Sequence, residues 1–277
     1  MLKARVITAL ALLALLLPSL FFLPQAGWAL LMAAVVGIAA WEWGGLLGWA
    51  EGSRRWLGAG VAAACGLLSW LDPLALGIGG FVPGAAWVWA AYAASALLWG
   101  LVVPFWLRAK WRLSGAPGLL VGAVLLLPTW LAMVQLRALG AEALLAVLAV
   151  VWMADIAAYF SGRAFGRRKL APNISPGKTW EGAVGAVLGV LAYGFAVPVL
   201  AGVELLPPQL WGLLLLLVTA VSIIGDLLES MLKRQAGIKD SSNILPGHGG
   251  VLDRVDSLTS TLPFAALLWL VFLGGAG

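Results

Sequence analysis

Nine apolar stretches, nearly free of charge, run through this chain at 6–23, 27–50, 56–72, 84–106, 117–136, 142–161, 180–202, 209–229 and 258–275. A helix needs about 20 mostly apolar residues to cross about 30 Å of hydrocarbon, so each stretch has the length of a membrane span. Apolar residues make up 62% of the chain and charged residues 10%, against roughly 45–50% and about 25% in soluble domains. An ordinary soluble fold is therefore excluded. The expected fold is an all-α integral membrane protein with about nine transmembrane helices. The 16 Trp and 35 Gly fit this reading, because Trp favours membrane interfaces and Gly is common in membrane helices. The third stretch is the weakest, since Asp72-Pro73 cuts it short, and 73–83 either extends it or lies in the interface.

The cations give an independent test of the count. With nine spans and a cytoplasmic N-terminus, every Lys and Arg except Arg137 falls on the cytoplasmic side, as the positive-inside rule requires. The C-terminus then lies opposite. Met1 to Leu23 has the basic start and apolar middle of a signal peptide. Pro24-Gln25-Ala26 is a poor cleavage site, however, and another apolar run follows, so a retained first span is expected. The single cysteine, Cys65, excludes a disulfide framework or a cysteine metal cluster and reads as a small filler. The clusters at Lys3/Arg5, Arg54/Arg55 and Arg108/Lys110/Arg112 read as topology signals or contacts with anionic lipid. Two later loops, 162–179 and 230–257, are different, because they mix both charge signs with Gly, Pro, Ser, Asn and His. Residues 1–150 hold four acids and 151–277 hold eight. This divides the chain into an N-terminal scaffold, 1–140, and a C-terminal catalytic part, 141–277.

Asp155 lies within the sixth stretch, and Asp226 and Glu229 lie near the end of the eighth. A charge at mid-bilayer costs about 2.5–3.5 kcal/mol on the mildest scale, so such groups usually face a polar cavity. Asp226 and Glu229 are three apart on one helix face, and Asp253 and Asp256 repeat that spacing at the start of the ninth span. Carboxylates converging from two helix ends, with no cysteine, suit Mg²⁺. The alternative is helix capping and salt bridging with Lys233, Arg234 and Arg254. The connecting loop also carries glycines around His248 and four cations, an inventory suited to holding phosphates.

The run from Ser230 to Asp256 reads S-x-x-K-R, a four-residue gap, K-D-x-S, then L-P-x-H-G-G-x-x-D-R-x-D. It resembles the hallmark of the phosphatidate cytidylyltransferase family. Ser175-Pro176-Gly177-Lys178-Thr179-Trp180-Glu181-Gly182 is similar to that family's S-P-x-K-T-W-E-G segment. Asp155 to Arg167 resembles its D-x-x-A-Y-x-x-G-R region. The resemblance is specific over roughly 150–260, and over the first five spans it is one of hydropathy only. It implies transfer of CMP from CTP to phosphatidate, giving CDP-diacylglycerol and pyrophosphate, at the cytoplasmic face of a bacterial-type inner membrane, with no role for nucleic acid.

Within that frame Asp226, Asp253 and Asp256 are the expected Mg²⁺ ligands. Lys178, Lys233, Arg234, Lys239 and Arg254 are the expected phosphate contacts. His248, Gly249 and Gly250 would shape the phosphate cradle, and Asn173, Ser175 and Asp240 would contact the nucleotide. Asp155, Glu181 and Glu229 form a second tier that would orient lysines or hold a second cation. Gly182, Gly185 and Gly189 permit close helix packing, within one chain or in a homodimer.

Gly177-Lys178-Thr179 mimics the end of a P-loop, but Pro172 stands where that motif needs Gly, and no strand is expected before it. His248, the single histidine, is a poor zinc site. The D-G-x-x-A-R pattern of the CDP-alcohol phosphotransferases is absent. An ion-coupled transporter would spread polar residues through the midplane in broken helices, whereas here they gather in loops. A membrane nucleotidyltransferase or kinase for another lipid would share the fold and differ in acceptor.

Overall fold

The computed structural model describes residues 2–203 and 206–272, with side chains from Val6 onward. The cations Lys3 and Arg5 and the tail of the ninth stretch beyond 272 lie outside the described side chains. In chain order the helices are α1 (Leu2–Phe22), α2 (Gln25–Leu46), α3 (Glu51–Leu71), α4 (Ala86–Leu97), α5 (Val103–Ala109), α6 (Gly115–Ala138), α7 (Ala141–Phe165), α8 (Trp180–Ala201), α9 (Pro208–Gln235) and α10 (Leu252–Phe272). A wider turn, Leu98–Val102, joins α4 and α5 into one rod. Pro104 explains it: the ring lacks an N–H and crowds the carbonyl four residues back, so the helix opens there.

Seven of the described helices are long and apolar enough to cross a bilayer: α2, the α4–α5 rod, α6, α7, α8, α9 and α10. Each expected stretch is helical, but α1 contributes only the shorter apolar segment Val6–Phe22, and α3 is not among the seven. Glu51, Arg54 and Arg55 occupy the first turns of α3, where Glu51 pairs with both arginines.

Several tryptophans tie the interior together, while others, such as Trp56, Trp70 and Trp180, are exposed. Trp28 Nε1 donates to the Met133 carbonyl at 3.0 Å, Trp130 Nε1 to Ala29 at 3.0 Å and Trp43 Nε1 to Gly118 at 3.0 Å, so α2 and α6 are cross-laced. Pro263 in α10 leaves the Thr259 carbonyl without its helical donor, and Trp99 Nε1 satisfies it from the wide turn at 3.1 Å. Arg137, the one cation expected off the basic side, closes the end of α1. It donates to the Leu20 carbonyl at 3.0 Å, to Leu23, and to Gln25 Oε1 at 2.7 Å, where helix carbonyls lack partners and favour a positive charge.

The glycine stripe of α8 packs against α7 of the same chain. A Cβ at Gly189 would lie 2.6 Å from that of Ala157, and one at Gly182 3.0 Å from the Ala158 carbonyl. The stripe is thus occupied within the chain. Between α7 and α8 the expected loop folds as a small antiparallel hairpin, β1 (Lys169–Ala171) and β2 (Ser175–Thr179). The all-α expectation therefore gains one two-stranded element, and a strand does precede α8. Thr179 ends β2 and caps α8, its Oγ1 accepting from the Gly182 N–H at 3.1 Å.

Candidate active site

The ends of α7, α9 and α10, the hairpin and the start of α8 meet at one end of the bundle. Helix α9 runs on to Gln235, so Ser230, Lys233 and Arg234, expected in a loop, lie on its last turns. The loop proper is 236–251. Leu245 to His248 forms a turn, with the His248 N–H donating to the Leu245 carbonyl at 2.8 Å. Pro246 takes its second position and Gly247, at φ +75°, its third, the residue types a type II turn demands. Gly249 follows at φ +80°.

Two buried carboxylates shape this loop. Asp253 Oδ2 accepts from the Ser241 N–H (2.8 Å), Ser241 Oγ (2.9 Å) and the Gly250 N–H (2.8 Å), while Oδ1 takes Lys233 Nζ at 2.6 Å. Both oxygens are thus engaged by the protein. Of the two roles open to Asp253 on sequence grounds, this geometry is that of capping and ion pairing. Lys233 likewise is turned inward, between Asp253 and Glu229 Oε1 (3.4 Å). Glu229 is buried, and neither of its oxygens accepts a hydrogen bond among the described residues.

The second carboxylate is Glu42 of α2, fully buried. Its Oε1 accepts from Ser242 Oγ (2.5 Å) and the Val251 N–H (3.0 Å), its Oε2 from Ser241 Oγ (3.1 Å) and the Leu252 N–H (2.6 Å). A side chain at Gly250 would collide with Ser241 and with the Glu42 carboxylate, whose Cδ would lie 2.6 Å from the added carbon. One at Gly249 would lie 2.6 Å from Asp253 Oδ2. The scaffold part of the chain therefore reaches into the site.

Between α7, α8, α9, the hairpin and the start of α10 lies a cavity of about 540 Å³, none of whose lining residues comes from the loop 236–251, within the range of small-molecule sites. Asp155, Tyr159 and Arg163 of α7 line it, as do Ser175, Lys178 and Thr179 of β2 and Ser222 and Asp226 of α9. Ser257 of α10 completes the polar wall, and Ala154, Ala158, Ala183, Ala186 and Ile223 make the rest apolar. Lys178 forms an ion pair with Asp226 Oδ2, and Ser230 Oγ donates to Asp226 Oδ1 at 3.2 Å. Asp155 feels the charges of both Asp226 and Asp256, and of Lys178 and Arg254. Of the five expected phosphate cations, only Lys178 is on the cavity wall; Arg234, Lys239 and Arg254 are exposed outside it. Asn173, in the hairpin turn, and Asp240 are exposed too, while Ser175 lines the cavity. The Nδ1 of His248 is buried without a partner among the described residues. Glu181 holds backbone: it accepts from the N–H groups of Arg167 (3.1 Å) and Arg168 (3.2 Å).

These residues fit Mg²⁺ only in an open form. Among the described residues no group of three or more His, Cys, Asp and Glu side chains is arranged to enclose a metal. Mg²⁺ commonly takes one or two carboxylates and completes its shell with water and substrate phosphate. Asp155 and Asp226 on the wall are the carboxylates open to such an ion, and Asp256 lies outside the cavity lining. Asp253 has both oxygens engaged by Lys233, Ser241 and Gly250.

With the geometry described, comparison with known proteins decides the family. The model of the cytidylyltransferase family matches residues 3–272. The chain belongs to that family. It is 48% identical to a phosphatidate cytidylyltransferase of Pseudomonas aeruginosa over 97% of both chains. It is 36% identical to one of Haemophilus influenzae over 99% of this chain and all of that one. A Bacillus subtilis protein of the same name is 44% identical over 44% of this chain and 45% of its own. Tyr159 and Arg163, within the D-x-x-A-Y-x-x-G-R match but given no role from the sequence, line the cavity with their side chains meeting at 3.1 Å, and Glu42, outside every motif, holds the loop. Glu42 had one available signal, an acid inside an apolar stretch.

Proposed function

We propose that this chain is a phosphatidate cytidylyltransferase, acting at the cytoplasmic face of the cell membrane. The observation that carries the reading is the mixed character of the cavity. Its polar wall offers acids and cations to an anionic nucleotide, and its apolar wall is built by α7 and α8, whose outer faces expose Ile156, Phe160, Val184 and Leu188. A lipid headgroup and a nucleotide can meet there, and the name of the full-length relatives agrees.

In the reaction a phosphate oxygen of phosphatidate attacks the α-phosphorus of CTP. The new P–O bond forms as the bond to the bridging oxygen breaks, and pyrophosphate leaves with that electron pair. The phosphomonoester is already anionic near neutral pH, so the protein's task is to offset repulsion between two anions. Asp155 and Asp226 would hold Mg²⁺, which when bound offsets charge on the triphosphate. Lys178 exchanges Asp226 for a phosphate oxygen, and Arg163 provides a second cation on the wall. The partnerless Nδ1 of His248 and the Gly249 arc shape the cradle, while exposed Arg234, Lys239 and Arg254 draw the nucleotide in. Ser175, Asn173 and Asp240 would contact the nucleoside.

The test is an assay of purified protein with labelled CTP and phosphatidate, diacylglycerol or polyprenyl phosphate, with and without Mg²⁺. Labelled CDP-diacylglycerol is expected with phosphatidate and Mg²⁺ only. Label transfer to the polyprenyl phosphate, or CDP release with diacylglycerol, would overturn the reading.

A further inference from the structure

Glu42 stands 199 to 210 residues away in sequence from the groups it binds, on a helix that carries none of the motifs. Helix α2 is among the best-buried elements, with Trp28, Ala29, Ala39, Ala40 and Trp43 all in the core. It is therefore a rigid post. The loop 236–251, by contrast, contains three left-handed glycines at 237, 247 and 249 and has few apolar anchors. Left to itself such a segment would sample many conformations.

We infer that Glu42 is the positioning residue of the nucleotide loop: its carboxylate clamps the Ser241–Ser242 segment to the first turn of α10 and so sets the His248–Gly250 arc. The four donors come from two separate pieces of chain, Ser241 and Ser242 on one side and Val251 and Leu252 on the other. Everything between them is the arc. Ser241 is shared with Asp253, so the same clamp fixes the carboxylate that holds Lys233. Gly250 is the necessary counterpart, because any side chain there would occupy the space of the Glu42 head. Glu42 itself touches no substrate in this scheme. It acts through backbone N–H groups and two hydroxyls.

The inference rests on the reading that this loop holds the nucleotide's phosphates, and the experiment separates the two. Full-length Glu42→Gln is purified in detergent, and initial rates are measured with CTP and phosphatidate varied in turn. The amide keeps the shape but loses one acceptor oxygen, so one piece of the clamp is released. The KM for CTP is expected to rise about tenfold, the effect of one charge-assisted hydrogen bond, with the KM for phosphatidate within about twofold. The thermal unfolding midpoint should be nearly unchanged. Ser242→Ala should give a smaller rise of the same kind, and the double variant should show less than the combined effect, because both act on one clamp. Unchanged kinetics in Glu42→Gln overturn the inference. So does a parallel rise in both KM values with a lowered midpoint, which marks Glu42 as a general support. Should Glu42→Gln fail to insert, Glu42→Asp is measured in the same way, and failure of both also marks a general support. A wild-type protein that does not turn over CTP with phosphatidate refutes the reading of the loop itself.

Discussion

Lys233 lies between Asp253 and Glu229, with a side chain 13% exposed facing carboxylates 3% and 7% exposed. Removing the ammonium leaves two acids buried without a counter-charge, and breaking such a pair costs about 3–5 kcal/mol. Lys233→Ala should therefore lower the thermal midpoint in detergent by about 10 °C. Arg234→Ala, exposed on the next position, should leave the midpoint unchanged while raising the KM for CTP. A sequence pattern names both residues in one breath and cannot say which faces inward. The same limit applies to Asp253 and Asp256: their three-residue spacing was legible, but the four hydrogen bonds that commit Asp253 to the loop come from Ser241, Gly250 and Lys233. Glu42 was the least legible, since all its partners are remote in sequence and its immediate neighbours are Trp41 and Trp43.

At the scale of elements, α9 and α10 come into close contact at Gly225. A Cβ there would lie 3.1 Å from the Asp256 carbonyl and closer still to Ser260 Oγ. Asp226 is the next residue, so the contact that joins the helices also sets the distance between the acids. Gly225→Val should push the helices apart at a cost of about 1–3 kcal/mol, seen as a lower midpoint and a larger proportional loss of kcat. Gly212→Ala on the same helix has its nearest neighbour at 3.7 Å, on Phe195, and should be neutral in both measurements. The helical stretches themselves were readable from hydropathy to within a few residues at most ends. The exceptions are the facing ends of α9 and α10. There left-handed Gly237 stops α9 and the loop's hydrogen bonds to Asp253 and Glu42 set the start of α10, rather than apolar content.

For the whole molecule, the orientation proposed from the basic residues has a direct test. In a Cys65→Ser background, Lys239→Cys should react with a membrane-impermeant maleimide in inverted vesicles and not in intact spheroplasts. The reverse result would turn the protein over. Arg137, the one cation that breaks the charge rule, is explained by its hold on the end of α1, a use that no count of loop charges could anticipate. The α2 clamp has a final consequence for engineering and for inheritance. Cutting the chain in the turn before α7 does not divide it into an inert anchor and a portable catalyst, because the first fragment carries the carboxylate that folds the second fragment's loop. A split version should regain turnover only when both pieces are co-expressed, and a gene keeping the motif-rich half alone should encode an idle protein.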